Sequence, residues 1–367
     1  KKFGDSFGAY FGAVWDDQDR IDNLSESQRL RIYDHDLDAG TYLNGQLLTE
    51  DLNNQNYSIF SGVRYQGQEI YRERQTYIAG AQWKSGNWDV NLDWTFGTED
   101  ETRDDKRYWT DTNDISRRYE GGIRNMWVDF DDAAPDQTVP TMGTLYAYDW
   151  ENEFRDNLAA SLYRLLPRTA DINVGGINAK WSGERLTVSG DIGYASQKTE
   201  RILERLRGRL DEDQERFADG ISGSFDLTGE YPIVTLFDSF GNPVDPMDTS
   251  HQYLDLLERS ITYEESSDIS SRLDFSYDLG QGAGGDLVSF FESLDFGVAW
   301  NEMQFQRSQD YKRARAGDFN LDGVADVIVK NIMNHVNVPG FVHQFAILDI
   351  RDPQFEPFLD DPDGYEL

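Results

Sequence analysis

The segment RAGDFNLDGVADVIVKN places Asp318, Asn320, Asp322 and Asp326 in the order D-x-N-x-D-G-x-x-D. Carboxylate and amide oxygens at alternate positions, with Gly323 turning the chain sharply, are the ligands that a hard cation such as Ca2+ requires. The backbone carbonyl of Val324 falls where such loops supply a main-chain oxygen. A calcium ion held by Asp318, Asn320, Asp322, Val324 and Asp326 would brace a surface loop and perform no covalent chemistry. A hydrogen-bonded Asx turn without metal is the competing reading of the same residues.

An EF-hand would also need a bidentate Glu at the twelfth position, where Val329 stands. Asp326 at the ninth position instead resembles the calcium loops of FG-GAP and integrin-type propeller repeats, which run into a strand as VIVKNIM does here. A propeller would repeat the motif with every blade, and it occurs once. Beyond it the chain offers no catalytic constellation: no G-x-S-x-G elbow, H-E-x-x-H helix or Walker loop is present, and the G-x-G-x-x-G spacing occurs in the Gly-rich GQGAGGD. GQGAGGD lacks a following Lys-Ser/Thr and reads as a hairpin turn. His35 in HDLD, and His335 and His343 around a Pro-Gly turn, lack a third ligand and read as structural. Carboxylates are too abundant for one acid–base pair to stand out. No enzyme is expected, and no cofactor beyond the structural calcium.

Asp and Glu number 68 against 34 Lys and Arg, a formal charge of -34. A phosphate-binding partner needs a basic footprint, so nucleic acid is excluded. No apolar run is long enough for a transmembrane helix, which leaves membrane β-barrels open because their strands alternate. Cysteine is absent, so disulfide scaffolds and thiolate metal sites are excluded. Lys1-Lys2-Phe3 leads into an alternating segment without an apolar leader, and the chain is expected to be an internal part of a longer protein.

Period-2 alternation is the dominant pattern. It predicts strands near 3–15, 76–84, 88–96, 174–182, 186–195, 269–279 and 293–301. In YIAGAQWKSGNWDVNLDWTF, Tyr77, Ala79, Ala81 and Trp83 share a face with Val90, Leu92, Trp94 and Phe96 across an SGN turn. A GER turn joins the next pair. The opposite stripes carry Asp and Asn without evident partner cations. Polar connections such as Asp16–Gln75 and Gly97–Asn173 are longer than compact domains usually hold. One of them, TERILERLRGRLDEDQERF, spaces Ile202, Leu203, Leu206 and Leu210 as in a short amphipathic helix packed on neighbouring loops. A lesser alternative has Arg201, Arg205, Arg207 and Arg209 gripping lipopolysaccharide phosphates.

Either a second sheet covers the apolar stripes, as in a soluble sandwich, or lipid does. Short turns alternating with long connections, and tryptophans near strand ends, favour lipid. The expected fold is therefore all-β: an antiparallel transmembrane β-barrel segment with long extracellular loops and short periplasmic turns. Trp15, Trp83, Trp88, Trp181 and Trp300 form its interfacial girdle. In the second long connection Tyr108, Trp109, Trp127, Tyr146, Tyr148 and Trp150 lie among acids. Such aromatics suit stacking on sugar rings better than gripping an anionic ferric siderophore.

The cadence of TYIAGAQWKSGNWDVNLDWTFGTED and DISSRLDFSYDLG…LVSFFESLDFGVAWNEMQFQR resembles the barrel of TonB-dependent outer-membrane receptors of the Xanthomonas–Caulobacter type. The resemblance implies a bacterial outer-membrane protein that imports a scarce nutrient. It implies a barrel of about twenty-two strands around a plug, driven by the TonB energy complex through an N-terminal part not seen in this chain. It leaves room for an accompanying surface lipoprotein. The alternative is a secreted or surface calcium-stabilised all-β adhesin or carbohydrate-binding protein. The calcium loop generates its own test: Asp322→Ala should abolish the calcium-binding heat that the parent gives in calorimetry, and superimposable isotherms would remove the metal.

Overall fold

The computed structural model describes residues 2–3, 6–27, 30–37, 42–43, 46–47, 49–50, 52–60, 62–111, 123–128, 140–147, 159–210, 215–217, 221–226, 228–229, 233–279, 292–315, 326–330 and 344–360. Its strands begin with β1 (Lys2–Phe3), β2 (Phe7–Ser27), β3 (Leu30–Leu37), β4 (Tyr42–Leu43), β5 (Gln46–Leu47) and β6 (Leu52–Phe60). They continue with β7 (Gly62–Ser85), β8 (Trp88–Asp111), β9 (Ile123–Val128), β10 (Pro140–Ala147), β11 (Ala159–Ser182) and β12 (Leu186–Leu210). The last are β13 (Ile221–Asp226), β14 (Ile233–Phe237), β15 (Gln252–Asp278), β16 (Ser293–Arg315), β17 (Asp326–Lys330) and β18 (Gln344–Leu348). The one α-helix among the described residues is α1 (Glu356–Asp360).

The protein is all-β. Eight strands form one antiparallel sheet in the order β1-β2-β7-β8-β11-β12-β15-β16. Every predicted strand lies in it, joined by short turns where SGN and GER stand. Gly86 takes φ 56°, the positive φ that a two-residue hairpin turn favours at its first central position. At the second turn Gly183 N–H donates to the Leu186 carbonyl at 2.8 Å. The predicted strand 3–15 is broken: Phe3 pairs with Phe7 across a turn, so β1 folds back on β2.

The strands are 21 to 27 residues long apart from the two-residue β1, far beyond the segments the alternation marked. The helix expected around Ile202 is not there. Its residues up to Leu210 belong to β12 and pair with β11 and β15. The spacing explains the error. Ile202, Leu206 and Leu210 lie four apart, which puts them on one side of a helix and equally on one face of a strand.

Parts of the long connections form strands of their own. Segments from three of them build a six-stranded sheet in the order β14-β13-β10-β9-β4-β5. β17 and β18 form a hairpin, and β18 packs against β8, β11 and β12 near their distal ends. There Phe345, Ile347, Ile350, Phe355 and Phe358 are buried together with Tyr65, Tyr163, Leu206 and Leu257. This is the principal apolar core.

Among the described residues the large sheet is a single layer toward the short turns, with both faces accessible. On one face Phe7, Phe11, Trp15, Leu92, Trp94, Ile192, Phe296, Val298 and Trp300 form a continuous apolar belt, all of them exposed. The belt is packed laterally. Phe275 stacks on Phe296 with ring centroids 4.9 Å apart, and Trp94 stacks toward Tyr194 at 6.1 Å. Trp94 lies flat over Gly175, where a Cβ would run into the indole. Such cover of a strand glycine by a cross-strand aromatic repairs the missing side chain. Gly175→Val should therefore expel Trp94 and destabilise the protein by about 1–3 kcal/mol, read as a lowered urea midpoint with altered tryptophan emission.

Candidate functional site: an arginine-lined face

Because side chains alternate and no bulge interrupts β7, β8, β11 or β16, each face of the large sheet keeps its identity from end to end. The belt face is apolar near the short turns. Beyond the belt it turns acidic, with Glu69, Glu73, Asp100, Asp104, Asp171, Glu200 and Glu265, and it then passes under β18 and α1. Tyr163 donates to Asp104 there at 3.0 Å, and Lys106 pairs with Asp104 at 2.5 Å.

The opposite face carries Gln82, Asn91, Asp93, Asn178 and Asp191 near the short turns. Three of its acids have partners: Lys84 reaches Asp89 at 2.7 Å, Asn178 donates to Asp191 at 2.6 Å, and Arg272 pairs with Asp274 at 2.6 Å. Farther out this face is dominated by arginine. β7 presents Arg72 and Arg74, β8 Arg103 and Arg107, and β11 Arg164 and Arg168. β12 presents Arg201, Arg205, Arg207 and Arg209, and β16 Arg307 and Arg313. Fewer acids share it, and they sit mainly on β8 and β15.

Those acids flank the arginines. Asp105, fully buried, accepts from Arg107 Nε at 3.0 Å and Arg164 Nε at 3.1 Å. Glu99 accepts from Arg74 Nε at 2.9 Å and Arg168 Nη1 at 2.7 Å. Glu258 holds Arg205, Asp255 holds both Arg207 and Arg209, and Glu264 lies 3.4 Å from Arg201. Sequence reading missed this face because strand pairing across distant segments assembles it. Its one local trace is the alternation of arginine in RILERLRGRL. Those four arginines lie on the side of the sheet opposite the belt, which separates them from any surface continuous with it.

The expected site residues fall into groups. Trp83, Trp88 and Trp181 gather at the short-turn end, where Trp88 and Trp181 are direct cross-strand partners. Trp15 and Trp300 lie inside their strands, at the far margin of the belt. The aromatics expected to stack on a ligand are described only in part. Tyr108 is buried in the core with its ring 5.9 Å from Phe345, while Trp109 points to the other face. Trp127 lies in β9 and Tyr146 in β10, and Tyr148 and Trp150 lie outside the described residues. Of the calcium loop only Asp326 is described; it opens β17 and accepts the Thr249 hydroxyl at 2.8 Å. No group of three metal-ligating side chains occurs among the described residues.

Near β15, His251 is almost fully buried, and burial holds its imidazole below the ordinary value although Asp248 pulls the other way.

Fold and site together define an all-β protein with one apolar and one guanidinium-rich face. No protein-family model matches the chain, and no curated protein or solved structure is significantly similar to it. Asp105 is the test of the arginine face as a structural unit. Asp105→Ala leaves Arg107 and Arg164 without their shared buried carboxylate and should destabilise by about 3 kcal/mol, measured by chemical denaturation.

Proposed function

We propose that the chain is part of an outer-membrane β-barrel of the TonB-dependent receptor kind, with the belt against lipid and the arginine face toward the lumen. The observation that carries this is the belt itself, uncovered by any described residue on a single-layer sheet. Full burial of a large apolar side chain is worth about 1.5–3 kcal/mol, of which each of these half-exposed residues forgoes a part in water, and a contiguous exposed patch of this kind marks an interaction surface. The rival, a secreted adhesin, requires a second sheet over the belt, and among the described residues none lies there.

The slant of the belt supports the same reading. Its far margin is Trp15 on β2 and Trp300 on β16. Following the register from Trp15 through Gln75, Thr98, Asp171, Lys198 and Glu265 leads to Gln306, six residues beyond Trp300. Six strand-to-strand steps separate β2 from β16, so the margin slides one residue per strand. With a rise of about 3.3 Å per residue and strands about 4.8 Å apart, this is a tilt of about 35°. Barrel strands tilt by that amount against their axis. A margin level with a membrane surface would slant in this way across tilted strands; the face of a flat sandwich has no such requirement.

Further support comes from the margins and the surface of the belt. Tryptophans lie along both margins, as amphipathic rings do at the two interfaces of a bilayer. A furrow of about 540 Å3, lined by Ile177, Ile192, Leu273, Val298 and Trp300 with Gly190 among its walls, crosses the belt. It has the chemistry of a seat for an acyl chain. Attribution to the TonB-dependent family rests on the strand cadence, and nutrient import follows from that family.

Two measurements test the proposal. The protein should require detergent for extraction from membranes and migrate differently in gels before and after boiling. Val298→Arg, in mid-belt, should lower the unfolding free energy in lipid vesicles by about 2–4 kcal/mol. A protein freely soluble without detergent, or indifferent to that substitution, would overturn it.

A further inference from the structure

We propose that the β11–β12 ribbon is a binding track for a multiply anionic solute, one carrying several carboxylate or phosphate groups in line. The track runs along Arg164 and Arg168 on β11 and Arg201, Arg205, Arg207 and Arg209 on β12. The inference deepens the barrel reading, on which it depends for the direction of access, and it replaces a neutral sugar with an anion.

The register carries the argument. Arg164 pairs directly with Arg205, and Arg168 pairs directly with Arg201. Like charges facing each other across strands are destabilising, and a sheet arranged for its own stability would alternate their signs. Here the acids lie outside the ribbon instead. Asp105 and Glu99 on β8 hold the β11 arginines from one flank. Glu258, Glu264 and Asp255 on β15 hold the β12 arginines from the other. The flanking carboxylates fix the guanidiniums in place while the positive charge concentrates between them.

Donors are also left over. The Nε atoms of Arg168 and Arg205 are shielded and have no hydrogen-bond partner among the described residues. Buried donors of that kind are normally satisfied; these lie below the surface, so the exposed parts of the arginine side chains are what an anion on the ribbon would meet. The side chains remain reachable, with Arg164, Arg168, Arg205 and Arg207 between 23% and 33% exposed.

The dimensions fit a chain-like ligand. From Arg201 to Arg209 the track spans about 26 Å along the strand, with strands about 5 Å apart, arginines about 7 Å apart from Arg205 to Arg209, and gaps of about 13 Å where Leu166 and Leu203 take the intervening positions. Planar guanidinium forks bind carboxylate and phosphate in bidentate fashion. A chain whose total charge is strongly negative would repel such a solute elsewhere, so this ribbon is where it can settle.

Calorimetry on the detergent-solubilised full chain tests this with tetragalacturonate, tripolyphosphate and neutral maltotetraose. At least one anion should bind, with an affinity that falls steeply as salt is raised, and maltotetraose should not. The first two probes separate carboxylate from phosphate recognition. Arg168→Gln with Arg207→Gln should weaken anion binding at least tenfold. Glu99 keeps Arg74 and Asp255 keeps Arg209 in that variant, so neither carboxylate is stranded. The charge-retaining pair Arg168→Lys with Arg207→Lys should recover part of the loss, and circular dichroism should show all variants folded. Binding of neither anion, equally tight binding of maltotetraose, or unchanged affinity in the folded double Gln variant would overturn the track. A detergent-dependent protein that binds no anion would refute the track and spare the barrel. A detergent-independent protein that binds would do the reverse.

Discussion

The hydrogen-bonded register that runs unbroken along Gly62–Ser85 and Trp88–Asp111 keeps two chemistries apart over strands of 24 residues. A one-residue slip would exchange the faces of a strand, moving Trp94 to the polar side and Asp93 into the belt. The belt, the acidic surface beyond it and the arginine face opposite all exist because that slip does not happen. Gly86 and its short turn pin one end of the register. The core under β18 and α1 pins the other.

Between those ends little apolar surface is buried, and ion pairs occupy the sheet instead. Accessible pairs such as Lys198–Glu265, at 3.0 Å, contribute at most about 1 kcal/mol each. Buried Asp105 is different, because two guanidiniums converge on one desolvated carboxylate. The opposed arginines of β11 and β12 work against the sheet. The distal half is therefore held by its backbone ladder and by the core at its tip, and the arginine arrangement is a load that this scaffold carries. On the proposed reading the load is relieved when an anion binds.

The proximal halves of the strands were legible because one face is apolar and the other polar. In Trp88–Phe96 every even residue belongs to the belt and every odd one to the polar side. Gln66–Thr76 and Glu99–Lys106 gave no such signal, since both of their faces are polar and alternation between two kinds of polar residue does not register as hydropathy. The same blindness turned RILERLRGRL into a helix. Apolar residues four apart satisfy both periods, and only a partner strand on each side distinguishes them. The tryptophans were recognised as a set, but their division into two margins was not, because the fold-back of β1 and the slant of the register are invisible within any one segment.

By itself the sequence determined the all-β class, the hairpin turns at Gly86 and Gly183, and the composition of the belt, since these depend on neighbours a few residues apart. Tertiary structure alone decided that Tyr108 is a core residue and Trp109 lies on the opposite face. It also decided that Asp105 receives Arg164 and that six arginines converge between two acidic strands. Those facts join residues dozens of positions apart. The same register that brings them together sets arginine against arginine, which no local pattern records.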